Sequence, residues 1–160
     1  MQLAPEGMRI SLFSGLDGLP HFNPDLDRED SIGLPTEVAR FRQLVAEADA
    51  LLISTPEYAH GLPGAFKNAL DWLVGSTSFP GKPVAVINVS PRSVHAQAQL
   101  REILTTMSAR LLAGASRTIP LPRRDIDAHA IAQDHELALA VRSVLDAIAL
   151  ALDSKLPHDF

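Results

Sequence analysis

Two short segments of the 160-residue sequence place polar and aromatic side chains directly after apolar runs. The first segment is PEYAHGLPG (56–64), in which Pro56 removes a main-chain donor and two glycines permit tight turns. Such a loop can direct several main-chain N–H groups at one planar ligand, with Tyr58 as a flat apolar surface. Glu57 could accept hydrogen bonds or order the loop. A rigid turn without a ligand is an equally good interpretation of the spacing.

The second segment, SPRSVHAQ (90–97), places Ser90, Arg92 and Ser93 just before a predicted helix. A helix N-terminus with nearby hydroxyl groups and an arginine can bind an anion or a carbonyl oxygen. Alternatively, Ser93 only caps the helix and Arg92 is solvated. From this segment alone, the capping interpretation is favoured.

Other kinds of chemistry have weak support in the sequence. The chain has no cysteine, which excludes disulfides, thiolate catalysis and cysteine-ligated metals and suits a cytoplasmic protein. Its six histidines show no metal-ligand spacing, and no Gly-x-Ser-x-Gly motif occurs. A net charge of −5 gives no reason to expect nucleic acid or an anionic membrane as a partner. Lys67 and Asp71 are spaced for an ordinary ion pair on a helix, and Trp72 is expected in the core or at an interface.

The elements that must position these segments follow from apolar periodicity and from turn residues. The predicted strands occupy 8–13, 48–55, 82–90 and 117–121. The predicted helices occupy 34–48, 63–75, 95–114 and 135–152, and 122–134 is expected to be loop or irregular helix. Strands that alternate with helices indicate one α/β domain over 1–160, with a parallel sheet covered on both faces. Ligands should bind beyond the carboxyl ends of its strands, where both polar segments lie.

The stretch TPEYAHGLPGAFKNALDW (55–72) resembles the signature of the NAD(P)H-dependent FMN reductase family, which includes azo-, chromate- and quinone reductases. Ten positions match the family pattern in order: Pro56, Glu57, Tyr58, Pro63, Gly64, Lys67, Asn68, Ala69, Asp71 and Trp72. The similarity continues through LPHFNPDLD, ADALLIST, FPGKPVAVINVS and AQAQLREIL, and so covers most of the chain.

The resemblance implies a flavodoxin-like three-layer sandwich that binds FMN and uses NADPH or NADH. Hydride would pass through the flavin to a quinone, an azo dye, a free flavin or an oxyanion. The cofactor-binding residues implied are Pro56, Glu57, Tyr58, Ala59, His60, Ser90, Arg92 and Ser93. The resemblance also implies a homodimer or homotetramer, with the helix from Lys67 to Trp72 as a possible interface element.

Three departures from the family pattern affect these expectations. Ala59 replaces the usual asparagine, and RSVHA replaces the usual glycines, so that Val94 and His95 could crowd the flavin ring. The chain also looks as if it begins after the first strand and phosphate-binding loop of the family. Three explanations are open: the natural chain starts upstream, a partner chain fills the gap, or strands 8–13 and 48–55 pair directly. Direct pairing or a compensating dimer is favoured. A weaker phosphate site leaves an alternative function open, namely a non-enzymatic or weakly binding domain that chiefly dimerises.

Overall fold

A parallel sheet with helices on both faces forms the centre of the computed structural model, which describes residues 2–27, 33–123 and 125–154. Its strands are β1 (Leu51–Ser54), β2 (Pro83–Asn88), β3 (Arg110–Leu111) and β4 (Arg117–Thr118). Its α-helices are α1 (Thr36–Glu47), α2 (Gly64–Asp71), α3 (Val94–Thr106), α4 (Ala128–Gln133) and α5 (His135–Asp153). Single 3-10 turns occur at Leu16–Gly18, Pro24–Leu26 and Ala113–Ala115. The predicted α/β architecture is confirmed.

The strand β2 is central and has a partner on each side. On one side it pairs in parallel with β1, in a register that puts Leu51 opposite Val84. On the other side β3 pairs with the start of β2 and β4 with its end, so these two short strands lie in succession along the same edge. The 3-10 turn Ala113–Ala115 separates them.

A serine side chain fills the break between β3 and β4. The Ser116 hydroxyl accepts a hydrogen bond from the Val86 main-chain N–H at 3.1 Å and donates one to the Leu112 carbonyl at 2.9 Å. Both main-chain groups belong to the region where the ladder is interrupted. The side chain therefore supplies the acceptor that the Val86 N–H would have found in a continuous strand, while the Leu112 carbonyl also accepts from the Ala115 N–H at 3.0 Å.

The two faces of β2 belong to two hydrophobic clusters, because successive side chains of a strand point to opposite faces. Val84 and Val86 pack with residues of α1, α2 and α3, and this cluster contains Trp72, Leu100 and Leu104. Ala85 and Ile87 pack with residues of α5 on the other face. The carboxyl ends of β1 and β2 are thereby held at one edge, where the two polar segments follow.

The predicted strand at 8–13 is wrong. No main-chain hydrogen bond joins these residues to β1, and within the described ranges β1 pairs only with β2. Met8 packs against the cluster on the α5 side. The ring centroids of Phe13 and Phe41 are 4.9 Å apart in the other cluster. Direct pairing of 8–13 with 48–55 is therefore wrong as well. Alternating side chains supply the two faces of a strand, but a strand also needs a neighbouring main chain to pair with.

Several predicted boundaries also differ. The helix predicted over 95–114 ends at Thr106, since Ser108 adopts a left-handed φ of 60° and the following residues enter β3. The helix predicted over 63–75 ends at Asp71 and continues as turns. The segment expected to be loop or irregular helix contains α4, which is capped by the Asp127 carboxylate. None of the helices in the described ranges combines the length and apolar character needed to cross a bilayer.

Candidate active site at the carboxyl ends of the strands

The loop after β1 ends in a tight two-residue turn. Tyr58 and Gly61 exchange main-chain hydrogen bonds of 3.0 and 2.9 Å, and Ala59 and His60 between them have φ values of 48° and 59°. Positive φ at both central residues is the mark of a type I′ turn. The turn leaves the Tyr58 side chain 64% exposed. Among the described residues, the N–H groups of Ala59 and His60 have no hydrogen-bond partner.

Glu57 connects this loop to the start of α3. Its Oε2 accepts a hydrogen bond of 2.9 Å from the main-chain N–H of Ala96, in the first turn of that helix. A carboxylate is favoured at this position by the free N–H groups and by the helix dipole. Glu57 thus orders the loop, which was one of its two predicted roles.

The loop after β2 is built differently from the sequence prediction. Ser93 is buried but makes no side-chain capping bond, so the predicted cap is wrong. The carboxylate of Glu57 performs that task instead. Ser90 donates its N–H to the Asn88 side chain at 3.1 Å, and its carbonyl accepts from the Ser93 N–H at 3.0 Å. Arg92 is exposed and has no ion-pair partner in the described part of the chain.

Two histidines form a contact between the loops that the sequence analysis missed. The rings of His60 and His95 are stacked, with centroids 4.3 Å apart and an interplanar angle of 22°. Both side chains are exposed. A further link is the Gln99 side chain, whose Oε1 accepts from the Leu62 N–H at 2.8 Å. The first turns of α3 therefore contact the loop after β1 at Glu57, His60 and Leu62. No local sequence signal predicts these contacts.

The helix α2, which follows the loop after β1 in the chain, is fixed by hydrogen bonds to residues 20–22. The Trp72 indole N–H donates to the Pro20 carbonyl at 2.7 Å, and the Asn68 Nδ2 donates to the same oxygen at 2.9 Å. The Asn68 Oδ1 accepts from the Phe22 N–H at 2.8 Å. Trp72 is fully buried, which assigns it to the core among the two predicted alternatives. The predicted pair of Lys67 and Asp71 is confirmed, with Nζ and Oδ1 at 2.6 Å.

Comparison with known proteins agrees with this architecture. Residues 1–120 match the family model described as NADPH-dependent FMN reductase. The chain is 33% identical over 153 residues to an NAD(P)H-dependent FMN reductase of Pseudomonas aeruginosa, an alignment that covers 92% of this chain and 80% of the relative. It is 35% identical over 133 residues to a 2-hydroxy-1,4-benzoquinone reductase of Burkholderia sp, covering 79% of this chain and 70% of the relative.

Solved structures lead to the same class. The flavoenzyme NAD(P)H:(acceptor) oxidoreductase FerB of Paracoccus denitrificans superposes with a TM-score of 0.65 at 31% identity, covering 87% of this chain and 78% of FerB. An NADH:FMN oxidoreductase, EmoB, superposes with a TM-score of 0.58 at 24% identity over 84% of this chain and 70% of EmoB, which supports the fold alone. The fold and these matches define a flavodoxin-like, flavin-dependent oxidoreductase. The chain belongs to the NADPH-dependent FMN reductase family, whose members use FMN with NAD(P)H, so the predicted family, fold class and cofactors are confirmed.

The loop after β1 has the chemistry that the ring of FMN requires. The exposed Tyr58 ring offers a flat surface, and the unpartnered N–H groups of Ala59 and His60 can donate to the carbonyl and nitrogen atoms along the edge of a flavin. Ser90, Arg92 and Ser93 belong to the second polar segment, which the stacked rings of His60 and His95 connect to the loop after β1. Within the described ranges, no group of three or more His, Asp or Glu side chains is arranged to hold a metal ion.

Proposed function

We propose that this chain catalyses electron transfer from NAD(P)H through bound FMN to a small-molecule acceptor. The main support for this proposal is the open turn after β1. There the exposed Tyr58 ring is next to the N–H groups of Ala59 and His60, which have no partner among the described residues. The Burkholderia relative is named for a quinone substrate, so a quinone is the first acceptor to test. Azo dyes, free flavins and oxyanions are the other acceptors in the proposal.

When bound, FMN supplies the chemistry by accepting a hydride from NAD(P)H and then reducing the acceptor. The protein's part is to position the flavin and to shape the space above it. Tyr58 would pack against the ring system, and the turn N–H groups would donate to its polar edge. Glu57 holds the turn against α3 through the Ala96 N–H, which keeps these donors in place before the ligand arrives.

Titration of the purified protein with FMN, followed by flavin fluorescence and visible absorbance, tests this proposal. We expect saturable binding, and Tyr58→Ala should weaken it roughly threefold to tenfold because a stacking surface is lost. Leu44→Ala, a change at an exposed apolar residue of α1, serves as the control and should leave affinity unchanged. NADPH and NADH oxidation is then measured with FMN and 1,4-benzoquinone present. Absence of FMN binding at millimolar concentration, or binding without any NAD(P)H oxidation, would overturn the proposal.

A non-enzymatic domain that chiefly self-associates is the second candidate function. The observation in its favour is a set of apolar side chains left exposed on β1 and α5, where Leu52, Leu139 and Leu150 are 40%, 60% and 71% exposed. A homodimer or homotetramer is proposed under either function, and analytical ultracentrifugation with and without FMN tests it. Self-association without FMN binding would favour the second candidate. The cytoplasmic location stays a prediction.

A further inference from the structure

An open cleft of about 470 Å³ lies between α3 and β4, beside the carboxyl end of β2. Its volume is in the range that accommodates small-molecule ligands. One part of its lining is apolar and consists of Val86, Pro91, Val94 and Ala98. None of the residues of the turn after β1 lines it, although Ser93 of the second polar segment does, so the cleft adjoins the candidate active site on the side away from that turn.

The rest of the lining is rich in hydrogen-bond donors. Arg101 of α3 and Arg117 of β4 both line the cleft, and no Asp or Glu does. In the part of the chain that the structure describes, neither arginine has an ion-pair partner. Gln97 also lines the cleft, and its buried Nε2 has no hydrogen-bond partner among the residues that the structure describes. Asn88 also contributes to the lining, and its Oδ1 is already engaged by the Ser90 N–H.

Unpaired donors of this kind have a physical cost. A buried amide N–H that lacks an acceptor loses its hydration without compensation. An anionic ligand would supply that acceptor and would also attract Arg101 and Arg117, both exposed at the cleft, since arginine binds planar oxyanions through paired, charge-assisted hydrogen bonds. The apolar wall would cover an uncharged, flat body attached to that anionic group.

We propose that the cleft between α3 and β4 is a binding site for a small planar organic anion, such as an aromatic carboxylate. The carboxylate is held by Arg101 and Arg117, the Gln97 Nε2 donates to it, and the aromatic body lies against Val86, Val94 and Ala98. The site adjoins the candidate active site at Ser93, but its occupation needs neither FMN nor any residue of the 56–61 loop.

Binding of 2-naphthoate, measured by calorimetry and by amide chemical shifts of the full chain without FMN, tests the proposal. We expect saturable binding with shift changes concentrated at 88–101 and 116–118. The neutral isostere 2-naphthamide should bind at least about tenfold more weakly, because charge-assisted hydrogen bonds are lost. Arg101→Gln and Arg117→Gln should each weaken naphthoate binding by about fivefold or more, and Gln97→Met should weaken it by a smaller factor.

Arg123→Gln is the matched control, since it makes the same change of charge at an exposed arginine outside the cleft. It should leave naphthoate affinity unchanged, and thermal denaturation verifies that every variant is folded. No naphthoate binding at 10 mM (about 2.7 kcal/mol of binding free energy) would overturn the proposal. Equal losses in Arg101→Gln, Arg117→Gln and Arg123→Gln would overturn it too, as that result indicates nonspecific attraction. Displacement of naphthoate by inorganic phosphate at equal concentration would contradict the role given to the apolar wall.

Discussion

At the scale of single residues, the turn after β1 concentrates backbone strain where the ligand is expected. Ala59 and His60 both have left-handed φ values, which side chains other than glycine, asparagine, aspartate and histidine rarely adopt. His60 is a residue type that tolerates this conformation, whereas Ala59 has no side-chain group to compensate for it. The same position is occupied by asparagine in the family pattern, and the observed φ gives a physical reason for that preference.

Replacing Ala59 by asparagine should therefore stabilise the protein. We expect Ala59→Asn to raise the free energy of unfolding by about 0.5–1 kcal/mol, because asparagine enters the left-handed region more readily than alanine. Urea denaturation followed by Trp72 fluorescence measures the change. Ala65→Asn is the control, since the same substitution on the exposed face of α2 should instead cost about 0.5 kcal/mol. A loss of stability in Ala59→Asn would contradict the assigned backbone conformation.

The Glu57 carboxylate provides a second residue-scale prediction. Glu57→Ala should cost about 1 kcal/mol of stability and loosen the 57–62 loop, since the Ala96 N–H loses its acceptor. Glu57→Gln keeps a carbonyl oxygen at that place and should retain most of the stability. Hydrogen exchange of the loop amides and urea denaturation provide the two readouts. Equal exchange rates in wild type and Glu57→Ala would show that the contact does not order the loop.

At the scale of elements, the interrupted edge formed by β3 and β4 depends on one hydroxyl group. Ser116 supplies both the acceptor for the Val86 N–H and a donor to the Leu112 carbonyl. The interruption lets the chain turn through Ala113–Ala115 and still pair with the end of β2. It also places Arg117 and Thr118 along the proposed anion cleft. A continuous strand would not need this serine.

Ser116→Ala should destabilise the protein by about 1–3 kcal/mol, because the buried Val86 N–H would lose its acceptor, whereas the Leu112 carbonyl would keep the hydrogen bond from the Ala115 N–H. Chemical denaturation measures the loss, and exchange of the Val86 amide should accelerate. Ser154→Ala removes an exposed hydroxyl that bonds to the Ala151 carbonyl and should change stability by less than about 0.5 kcal/mol. Similar stability of the two variants would contradict the role assigned to Ser116.

At the scale of the whole molecule, β2 joins two hydrophobic clusters through its two faces. Trp72, Leu100 and Leu104 are fully buried on the side of α1, α2 and α3. Val144 and Ile148 of α5 are buried on the other side. Because one strand contributes to both clusters, we expect them to unfold together, as the predicted single domain over 1–160 requires. The single domain stays a prediction that cooperativity can test.

The lone tryptophan allows that test, since Trp72 is buried in one cluster and reports on it by fluorescence. Val144→Ala, in the opposite cluster, should lower the free energy of unfolding by about 1–3 kcal/mol. The unfolding midpoint measured by Trp72 fluorescence should shift as far as the midpoint measured by far-UV circular dichroism. Leu150→Ala, at a side chain that is 71% exposed, should move neither by much. Separate transitions for the two probes in Val144→Ala would show that the chain is not one cooperative unit.

Sequence reasoning alone gave the alternation of helices and strands from α1 to α3, the final helix α5, the two polar loops at strand ends and the family. These properties depend on local periodicity, on turn residues and on the spacing within TPEYAHGLPGAFKNALDW. Each of these signals is contained within one continuous segment of the chain. Tertiary structure decided that 8–13 is no strand, that Glu57 rather than Ser93 caps α3, and that His60 stacks on His95. It also brought Gln97, Arg101 and Arg117 to one cleft. Each of these contacts joins groups from separate elements of the chain. Periodicity along the chain does not indicate which distant group comes within hydrogen-bond distance, so the sequence could not predict them.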